Sequence, residues 1–330
     1  MNRVLERLFL EETLTKNEAK KLIIDISKGK INDVQIIAIA SIYNMRNPTI
    51  EELLGFYQAM NDLSIKVNLK EFNAIDIVGT GGDQKNTFNI STIASFIVAG
   101  AGEKVIKHGN FSSSSITGSS NIFEELGYNF TNKEEELKNQ LNKVGFCYLH
   151  APMFHPILNK ISINRKKFGT RTIFNALGPL LNPANIKNLL LGVNSLELAR
   201  MYNYLYQNIE NNYAIIHSLD GYDEITLTSH VKCYTKQNER YYYIEELNKN
   251  KIIINPNDLI GGKNIKENIK IFINILSGEG TVTQTEVVLI NATFALNLLN
   301  SNDFDTNYSK AKYSLESGNA KKILRNLLSL

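Results

Sequence analysis

The sequence predicts an α/β protein: a small all-helical domain followed by a larger domain with a mostly parallel central sheet flanked by helices. Three observations predict it. The first seventy residues carry helix-start signals and no strand signal. From about Asn73 onward short apolar runs alternate with longer amphipathic stretches. Residues 75–92 have the form of a strand, a glycine-rich turn and a helix start. At 330 residues the chain can bury a large core, and its length allows one or two domains.

In the leading helical segment, Thr15 and Glu18 form a capping box ahead of Ala19, Leu22, Ile23 and Ile26, and Gly29 stands where a C-terminal stop belongs. Thr49 and Glu52 repeat the device ahead of Leu53, Leu54, Phe56 and Tyr57. The apolar faces of these helices either meet their own core or form a dimer surface. Strand candidates then follow at 74–78, 104–106, 146–149, 188–193 and 213–217, with helices between them, among them 133–142 and 196–207. Such alternation implies parallel strands joined by helical crossovers, with ligands bound beyond the carboxyl ends of the strands. Residues 231–236 and 240–244 read as an antiparallel hairpin around Gln237-Asn238-Glu239, and helices that include 284–299 and 310–327 close the chain. The frequent Asn and Lys look like compositional bias.

Hydrophobic residues at 43% and charged residues at 21% describe an ordinary soluble chain, and a net charge of +3 gives no case for nucleic acid as a partner. Cys147 and Cys233 have neither metal-ligand spacing nor a disulfide framework, so a reducing cytoplasm is the simplest setting. Cys147 sits in the apolar run of residues 145–149 and is expected in the core. The first seven residues mix acid and base with apolar side chains and lack a signal core, and no run approaches the ~18 apolar residues of a membrane span. A soluble intracellular protein without membrane partners is expected.

The chemistry concentrates in four places. In the first, Gly79, Gly81 and Gly82 end an apolar run, and Asn89, Ile90, Ser91 and Thr92 open the helical pattern of Ile93, Ala94, Phe96 and Ile97. Glycines permit close backbone approach, and a helix N-terminus offers free N–H groups and a positive dipole end, so a phosphate is the natural ligand. Neither G-x-G-x-x-G nor G-x-x-x-x-G-K-S/T is matched, and a plain structural turn fits the glycines equally. The hydroxyls and amides exceed what one helix cap needs, which favours a ligand. In the second, Lys107-His108-Gly109-Asn110 follows a strand candidate and precedes a loop rich in hydroxyls, Ser112 to Ser115, Thr117, Ser119 and Ser120. That loop is either a flexible serine-rich connection or a phosphate wrap with Lys107 as point charge. In the third, Arg165 belongs to a basic cluster that would ordinarily be a solvated helix face. In the fourth, Asp223-Glu224 follows the turn Asp220-Gly221-Tyr222; adjacent acids at a turn usually face water, but this pair follows a strand end on the presumed ligand edge. His108 and His155 have no carboxylate or cysteine at ligand spacing and read as structural histidines.

Taken in order, several blocks resemble one family. They are Asp76-Ile77-Val78-Gly79-Thr80-Gly81-Gly82-Asp83 with Asn89-Ile90-Ser91-Thr92, then Lys107-His108-Gly109-Asn110, Gly118-Ser119, and Glu124-Glu125-Leu126-Gly127. His155-Pro156, the run from Arg171 through Thr172-Ile173-Phe174-Asn175 to Pro183, and Gly221-Tyr222-Asp223-Glu224-Ile225 complete the set. This pattern is similar to that of the anthranilate phosphoribosyltransferases of tryptophan biosynthesis. The resemblance implies a glycosyltransferase (pentosyltransferase) that joins the amine of anthranilate to the ribose of phosphoribosyl pyrophosphate and releases pyrophosphate. It implies a helical domain at 1–72 with a return at about 165–187, an α/β domain over 73–330, and a cytoplasmic homodimer formed through the helices.

For the donor, the resemblance implies contacts at Gly79, Gly82, Asp83, Thr87, Asn89, Ile90, Ser91, Thr92, Lys107, His108, Gly109, Asn110, Phe111, Ser112, Ser113, Ser114, Ser115 and Ser119. For anthranilate it implies Gly79, Asn110 and Arg165, whose planar guanidinium suits a carboxylate. His108 and His155 are placed by the same resemblance along the acceptor's path, and Arg171 in a role stabilising the fold. Two Mg²⁺ per active site are implied, held by Ser91 and by Asp223 with Glu224. No catalytic base is assigned, because the lone pair of a weakly basic aromatic amine is already free. The chain departs from the family at Phe111, where an Arg is common, at Ser112 to Ser115 and at Asn121, where an Asp is usual; loss of a cation beside a polyanion is expected to weaken donor binding. Two rivals are open. A pyrimidine nucleoside phosphorylase should lack Gly79-Thr80-Gly81-Gly82-Asp83 and the Asp223-Glu224 pair. A non-catalytic nucleic-acid binder should show a strongly basic surface.

Overall fold

The computed structural model describes residues 2–112 and 115–330, and it divides into two compact units, Met1–Lys66 with Ala151–Pro183, and Val67–His150 with Ala184–Leu330. Ser113 and Ser114 lie outside the described residues.

The first unit is helical: α1 (Asn2–Phe9), α2 (Lys16–Ser27), α3 (Asp33–Met45) and α4 (Ile50–Asp62) come first. Thr15 caps α2 by accepting the Glu18 N–H at 3.3 Å while its own N–H donates to the Glu18 carboxylate at 2.9 Å. Gly29 follows the helix at φ +73°, a conformation open to glycine. Asn32 and Gln35 form a further capping box on α3 that the hydroxyl-based reading passed over. Glu52, in the box that starts α4, does more than cap. It is fully buried and accepts hydrogen bonds from the Leu14 N–H at 2.9 Å, the Thr49 N–H at 2.8 Å, Tyr43 Oη at 2.9 Å and Arg46 Nη2 at 2.8 Å. Every carboxylate lone pair has a donor, which is the condition for burying a charge.

The helical unit resumes at Ala151, earlier than the expected 165, and includes a 3₁₀ turn at Ala151–Met153, a helix at Pro156–Phe168 and a short helix at Ile173–Leu177. The early return has a packing cause: Phe154, Ile157 and Ile161 are buried, and the Phe154 carbonyl accepts the Ile65 N–H at 2.8 Å. At the other boundary, Val67 and Leu69 are buried and the Asn68 N–H donates to Glu134 at 2.7 Å, so these residues join the α/β unit ahead of the expected residue 73.

The second unit is built on a sheet that, among the described residues, has seven strands: β1 (Ile75–Gly79), β2 (Val105–Gly109), β3 (Phe146–His150), β4 (Asn188–Gly192), β5 (Asn212–Ser218), β6 (Val231–Thr235) and β7 (Glu239–Tyr242). Their spatial order is β3-β2-β1-β4-β5-β6-β7; β1 to β5 are parallel and the hairpin β6–β7 runs antiparallel. Helices on this unit are α5 (Ile90–Gly100), α6 (Ser119–Glu125) and α7 (Glu134–Lys143). In chain order the two helices of the helical unit, Pro156–Phe168 and Ile173–Leu177, are α8 and α9. The α/β unit then adds α10 (Leu196–Gln207), α11 (Ile244–Leu247), α12 (Ile265–Leu276), α13 (Val282–Leu299), α14 (Phe304–Glu316) and α15 (Asn319–Leu328).

Two expectations are corrected here. Lys107, His108 and Gly109 belong to β2 and not to a loop, because the ladder with β3 continues through Lys107↔Tyr148, His108↔Leu149 and Gly109↔His150. A charged residue normally ends a strand, but the Lys107 side chain is buried in the unit and only 2% exposed. The single helix expected at 310–327 is broken into α14 and α15 at Gly318, whose φ of +77° no right-handed helix can hold.

Helix α13 is long and apolar enough to cross a membrane by length and mean composition, although Gln284, Glu286 and Asn291 interrupt its apolar residues, and 67% of it is buried inside the protein. Asparagine also has a structural use: Asn188 Nδ2 donates to Asn73 Oδ1 at 3.0 Å, Asn212 Nδ2 to Asn188 Oδ1 at 3.0 Å and to the Leu298 carbonyl at 2.7 Å, tying together the amino ends of β4 and β5.

Candidate active site

The strand order makes β1 and β4 neighbours whose onward connections diverge, the first toward β2 and β3, the second toward β5. A crevice opens at the carboxyl ends of two such strands. Gly79 and Gly192 end them, side by side in register. Both are glycine for a steric reason: a Cβ on Gly79 would run into the Asp223 carboxylate, and one on Gly192 would run into the Asp223 carbonyl. The Asp223 segment therefore crosses directly over the two strand ends. Beyond β1 the backbone turns through Gly81 and Gly82, at φ +60° and +73°, held by the Thr80 N–H to the Gly192 carbonyl at 2.9 Å and by Asn194 Nδ2 to the Gly81 carbonyl at 3.1 Å.

The acids of the fourth motif meet this loop from above. Asp223 Oδ2 accepts the Gly81 N–H at 2.6 Å, and Glu224 Oε1 accepts the Ser91 N–H at 2.8 Å, at the start of α5. Thr87 Oγ1 donates to Glu224 Oε2 at 3.4 Å. The anion-seeking N–H groups of the glycine loop and helix start thus hold carboxylates. Burial, and then the charge of Asp83, push the Asp223 carboxyl up to about 7. Glu224 is raised well above the usual carboxylate range by burial and by Asp223. Asp83 Oδ2 is buried and receives no hydrogen bond among the described residues. Three acids crowd one corner, and positive charge is what the corner lacks.

Lys107 answers part of that need. Its Nζ donates to the Ile77 carbonyl at 2.6 Å and lies 3.5 Å from Ser91 Oγ. Burial lowers its pKa to about 8 against the opposing pull of Asp76 and Glu224. Asp76 itself is buried and accepts the His108 N–H at 3.1 Å.

The hydroxyl loop adjoins this corner. Asn89 Nδ2 donates to the Thr117 carbonyl at 3.2 Å, and the Ile116 N–H donates to Asn86 Oδ1 at 3.3 Å. Ser112 Oγ accepts the Ser115 N–H at 2.8 Å, and the Ser112 N–H donates to Asn121 Oδ1 at 3.2 Å. Ser119 Oγ lies 2.8 Å from Tyr148 Oη, which is also 2.7 Å from Ser120 Oγ, and Ser120 Oγ is 2.8 Å from His150 Nδ1. A Cβ on Gly109 would strike Ser119 Oγ, and one on Gly118 would press on the Ser112 nitrogen.

Around the carboxyl ends of β1 and β4 the structure gathers Gly79, Gly82, Asp83, Thr87, Asn89, Ser91, Lys107, Asp223 and Glu224, with Asn110, Phe111, Ser112 and Ser115 on the adjoining loop and Ser119 at the start of α6. Ile90 and Thr92 are in α5 with side chains buried in the core, so only their backbone is available to a ligand, and His108 is buried within β2. Ser113 and Ser114 are outside the described residues. Arg165 lies in α8 of the helical unit, and its side chain is outside the described ones. In that unit His155 Nε2 is 2.7 Å from the Leu181 carbonyl, and burial lowers its pKa to about 4, which suits a neutral structural ring. Among the described residues no three His, Cys, Asp or Glu side chains gather into a preformed metal cluster. Sequence reasoning missed Gly192 and Asn194, whose parts depend on Asp223 and Gly81 far away in the chain.

Comparison with known proteins agrees with this geometry. The model of the glycosyl transferase family a/b domain matches residues 71–321, and that of the same family's helical bundle domain matches residues 2–64. The chain is 47% identical over its full length to the anthranilate phosphoribosyltransferase of Flavobacterium psychrophilum, covering 99% of that protein, and 46% identical to that of Christiangramia forsetii with the same coverage. Its fold superposes on the crystal structure of anthranilate phosphoribosyltransferase from Thermus thermophilus with a TM-score of 0.90, at 27% identity and 98% of both chains. It has the fold of the Saccharomyces cerevisiae anthranilate phosphoribosyltransferase solved in complex with phosphoribosyl pyrophosphate and Mg, at a TM-score of 0.88, 24% identity, and 98% and 96% of the two chains. With both domain models matched in order and relatives nearly half identical from end to end, the chain belongs to the glycosyl transferase family, among its anthranilate phosphoribosyltransferases.

Proposed function

We propose that the protein transfers the phosphoribosyl group of phosphoribosyl pyrophosphate to the amine of anthranilate, releasing pyrophosphate, in tryptophan biosynthesis. The observation that carries this reading is the acid-capped glycine cradle at the switch point of the sheet, in a chain that matches its relatives from end to end. In the reaction the bond from the ribose anomeric carbon to the pyrophosphate oxygen breaks and a bond to the anthranilate nitrogen forms. That nitrogen then gives up a proton. The hydroxyls of Ser112, Ser115 and Ser119 suit the phosphate oxygens, while the Gly81 and Ser91 N–H groups hold the Asp223 and Glu224 carboxyls in place beside them. A polyanion beside Lys107, whose pKa burial lowers to about 8, favours its charged form. No residue is assigned as general base.

The residues fit Mg²⁺: a buried Asp83 oxygen that receives no hydrogen bond among the described residues and two carboxyls with raised pKa values are what a hard dication would relieve. Ser91 is proposed to hold one ion and Asp223 with Glu224 a second. When bound, Mg²⁺ supplies positive charge to the diphosphate leaving group. Gly79, Asn110 and Arg165 are proposed for anthranilate, Arg165 as partner of its carboxylate. Support for Arg165 is its fixed place ahead of Arg171-Thr172-Ile173-Phe174-Asn175. A homodimer through the helical unit is supported by its exposed Phe9, Leu10, Val34 and Met45. A cytoplasmic setting is supported by the free, buried Cys147 and Cys233.

The test is loss of anthranilate fluorescence on addition of phosphoribosyl pyrophosphate and Mg²⁺; no loss with pure protein would refute the activity. In the same assay Arg165→Ala is expected to raise the anthranilate KM by roughly a hundredfold and the donor KM little, because a charge partner is lost from one substrate only. Equal effects on both substrates would remove Arg165 from the acceptor site.

A further inference from the structure

The glycine loop and the hydroxyl loop stand on different strand–helix connections, yet a third segment is fastened to both. That segment, residues 259–268, leads into α12. The Leu259 carbonyl accepts the Phe88 N–H at 3.1 Å, Ile260 pairs with Thr87, and the Gly261 N–H donates to the Asn86 carbonyl at 2.7 Å. From α12 the Asn268 amide reaches the other loop: Nδ2 donates to Thr117 Oγ1 at 2.9 Å, and the residue is only 4% exposed.

The orientation of this amide is fixed by its surroundings. Oδ1 accepts the Gly262 N–H at 3.0 Å, while Nδ2 meets the Gly262 carbonyl at 3.1 Å and the Asn264 carbonyl at 3.0 Å, so a flipped amide would set oxygen against two oxygens. Space confirms the fit. A Cβ on Gly261 would lie 2.8 Å from Asn268 Oδ1 and 3.1 Å from the Asn86 carbonyl, and one on Gly262 would run into Glu267 Cβ and lie 2.8 Å from the backbone nitrogen of Asn268. The glycine pair lets the segment lie against the glycine loop and the Asn268 amide together. Thr117 is consequently held from two sides, its carbonyl by Asn89 and its hydroxyl by Asn268, immediately before Gly118 and Ser119.

We propose that Asn268, acting through Thr117, is a positioning residue that sets the two phosphate-facing loops relative to each other. The inference rests on the phosphoribosyltransferase reading above. Preorganised donors bind a polyanion without first being ordered, so loosening Thr117 costs donor binding more than acceptor binding, whose proposed charge partner Arg165 belongs to the helical unit.

The experiment measures both KM values, kcat and thermal midpoint for Asn268→Asp, Thr117→Val, Thr117→Ser and the Asn268→Asp/Thr117→Val pair. Val removes the acceptor at Thr117, and Asp replaces the donor at Asn268 with an oxygen set against the Gly262 and Asn264 carbonyls, so the thermal midpoint is read beside each KM. Each is expected to raise the donor KM roughly tenfold, with the anthranilate KM within about twofold. Thr117→Ser keeps the hydroxyl and is expected to behave as wild type. The double variant is expected to be no worse than the poorer single one, as for two ends of one hydrogen bond. An unchanged donor KM in Thr117→Val, or equal rises in both KM values, would overturn the proposal. Absence of turnover by the wild type would overturn the phosphoribosyltransferase reading itself, and this inference with it.

Discussion

At the scale of single residues, the site works by placing charge where water has been removed. Lys107 carries the conflict openly: burial pulls its pKa down to about 8, and only the neighbouring acids keep it from falling further. Phe111 shows the opposite choice. Its ring meets His150 edge-on at 4.8 Å and Phe130 at 6.4 Å, while His150 stacks on Phe130 at 4.4 Å, so an aromatic anchor stands on the proposed donor loop where a cation would serve a polyanion better. Because Phe111 is 38% exposed, a longer polar side chain has room at the surface. Phe111→Arg is therefore expected to lower the donor KM by roughly threefold to tenfold at low salt, an advantage that shrinks at high salt as screening sets in. Removing the ring from this aromatic cluster costs about 0.5–1.5 kcal/mol of stability. Donor titrations at two ionic strengths decide the matter, and a donor KM that stays level or rises at low salt would count against it.

At the scale of elements, the α/β unit is clamped away from the site by polar groups as well as by its core. Glu286 on α13 accepts Asn250 Nδ2 at 2.6 Å and Tyr308 Oη of α14 at 2.6 Å, and Asn250 Nδ2 lies 3.0 Å from Tyr308 Oη. Glu286→Ala removes the acceptor of the buried Tyr308 hydroxyl, which is expected to cost roughly 1–3 kcal/mol. Urea unfolding should show the loss while both KM values stay at wild type, and a shifted KM would show that the clamp reaches the site. This clamp also marks where the sequence is legible and where it is not. The turn after β1 declares itself, since three glycines and a helix start are local features. The capping boxes on α2 and α4 are local too. Lys107 conceals a strand because its burial depends on β3, and Gly318 conceals a helix break because a lone glycine is tolerated in many helical patterns. The return at Ala151 and the roles of Gly192, Asn194 and Asn268 depend on partners far away in the chain, such as Asp223 for Gly192, Gly81 for Asn194 and Thr117 for Asn268. No local pattern encodes those meetings.

At the scale of the whole molecule, stability and ligand binding are tied through the buried titrating groups, and pH separates their contributions. His150 and His155 are both lowered to about 4 by burial, against ~6.5 when unfolded. Their contribution is present above that unfolded value and is lost as pH falls through 4. Asp223 has the opposite sign. Raised to about 7 from ~3.9 unfolded, it contributes fully below pH ~3.9 and loses its contribution as pH rises through 7; Glu224, also raised, acts in the same direction. The two effects oppose each other across the acid range, so the wild type alone gives an ambiguous profile, and a difference measurement is needed. Asp223→Asn with Glu224→Gln keeps an oxygen to accept the Gly81 and Ser91 N–H groups while removing the ionisation. The double variant is expected to match the wild type near pH 4 and to exceed it increasingly toward pH 8, by several degrees in thermal midpoint. Mg²⁺ with phosphoribosyl pyrophosphate should raise the wild-type midpoint at pH 8 and the variant's much less, because neutral amides hold a dication poorly. The variant's turnover should show a shifted or abolished Mg²⁺ dependence, with little change in anthranilate binding. A variant with the wild-type pH profile would show that the acids are not strained in the free protein, and an unaltered Mg²⁺ titration would remove them from the metal.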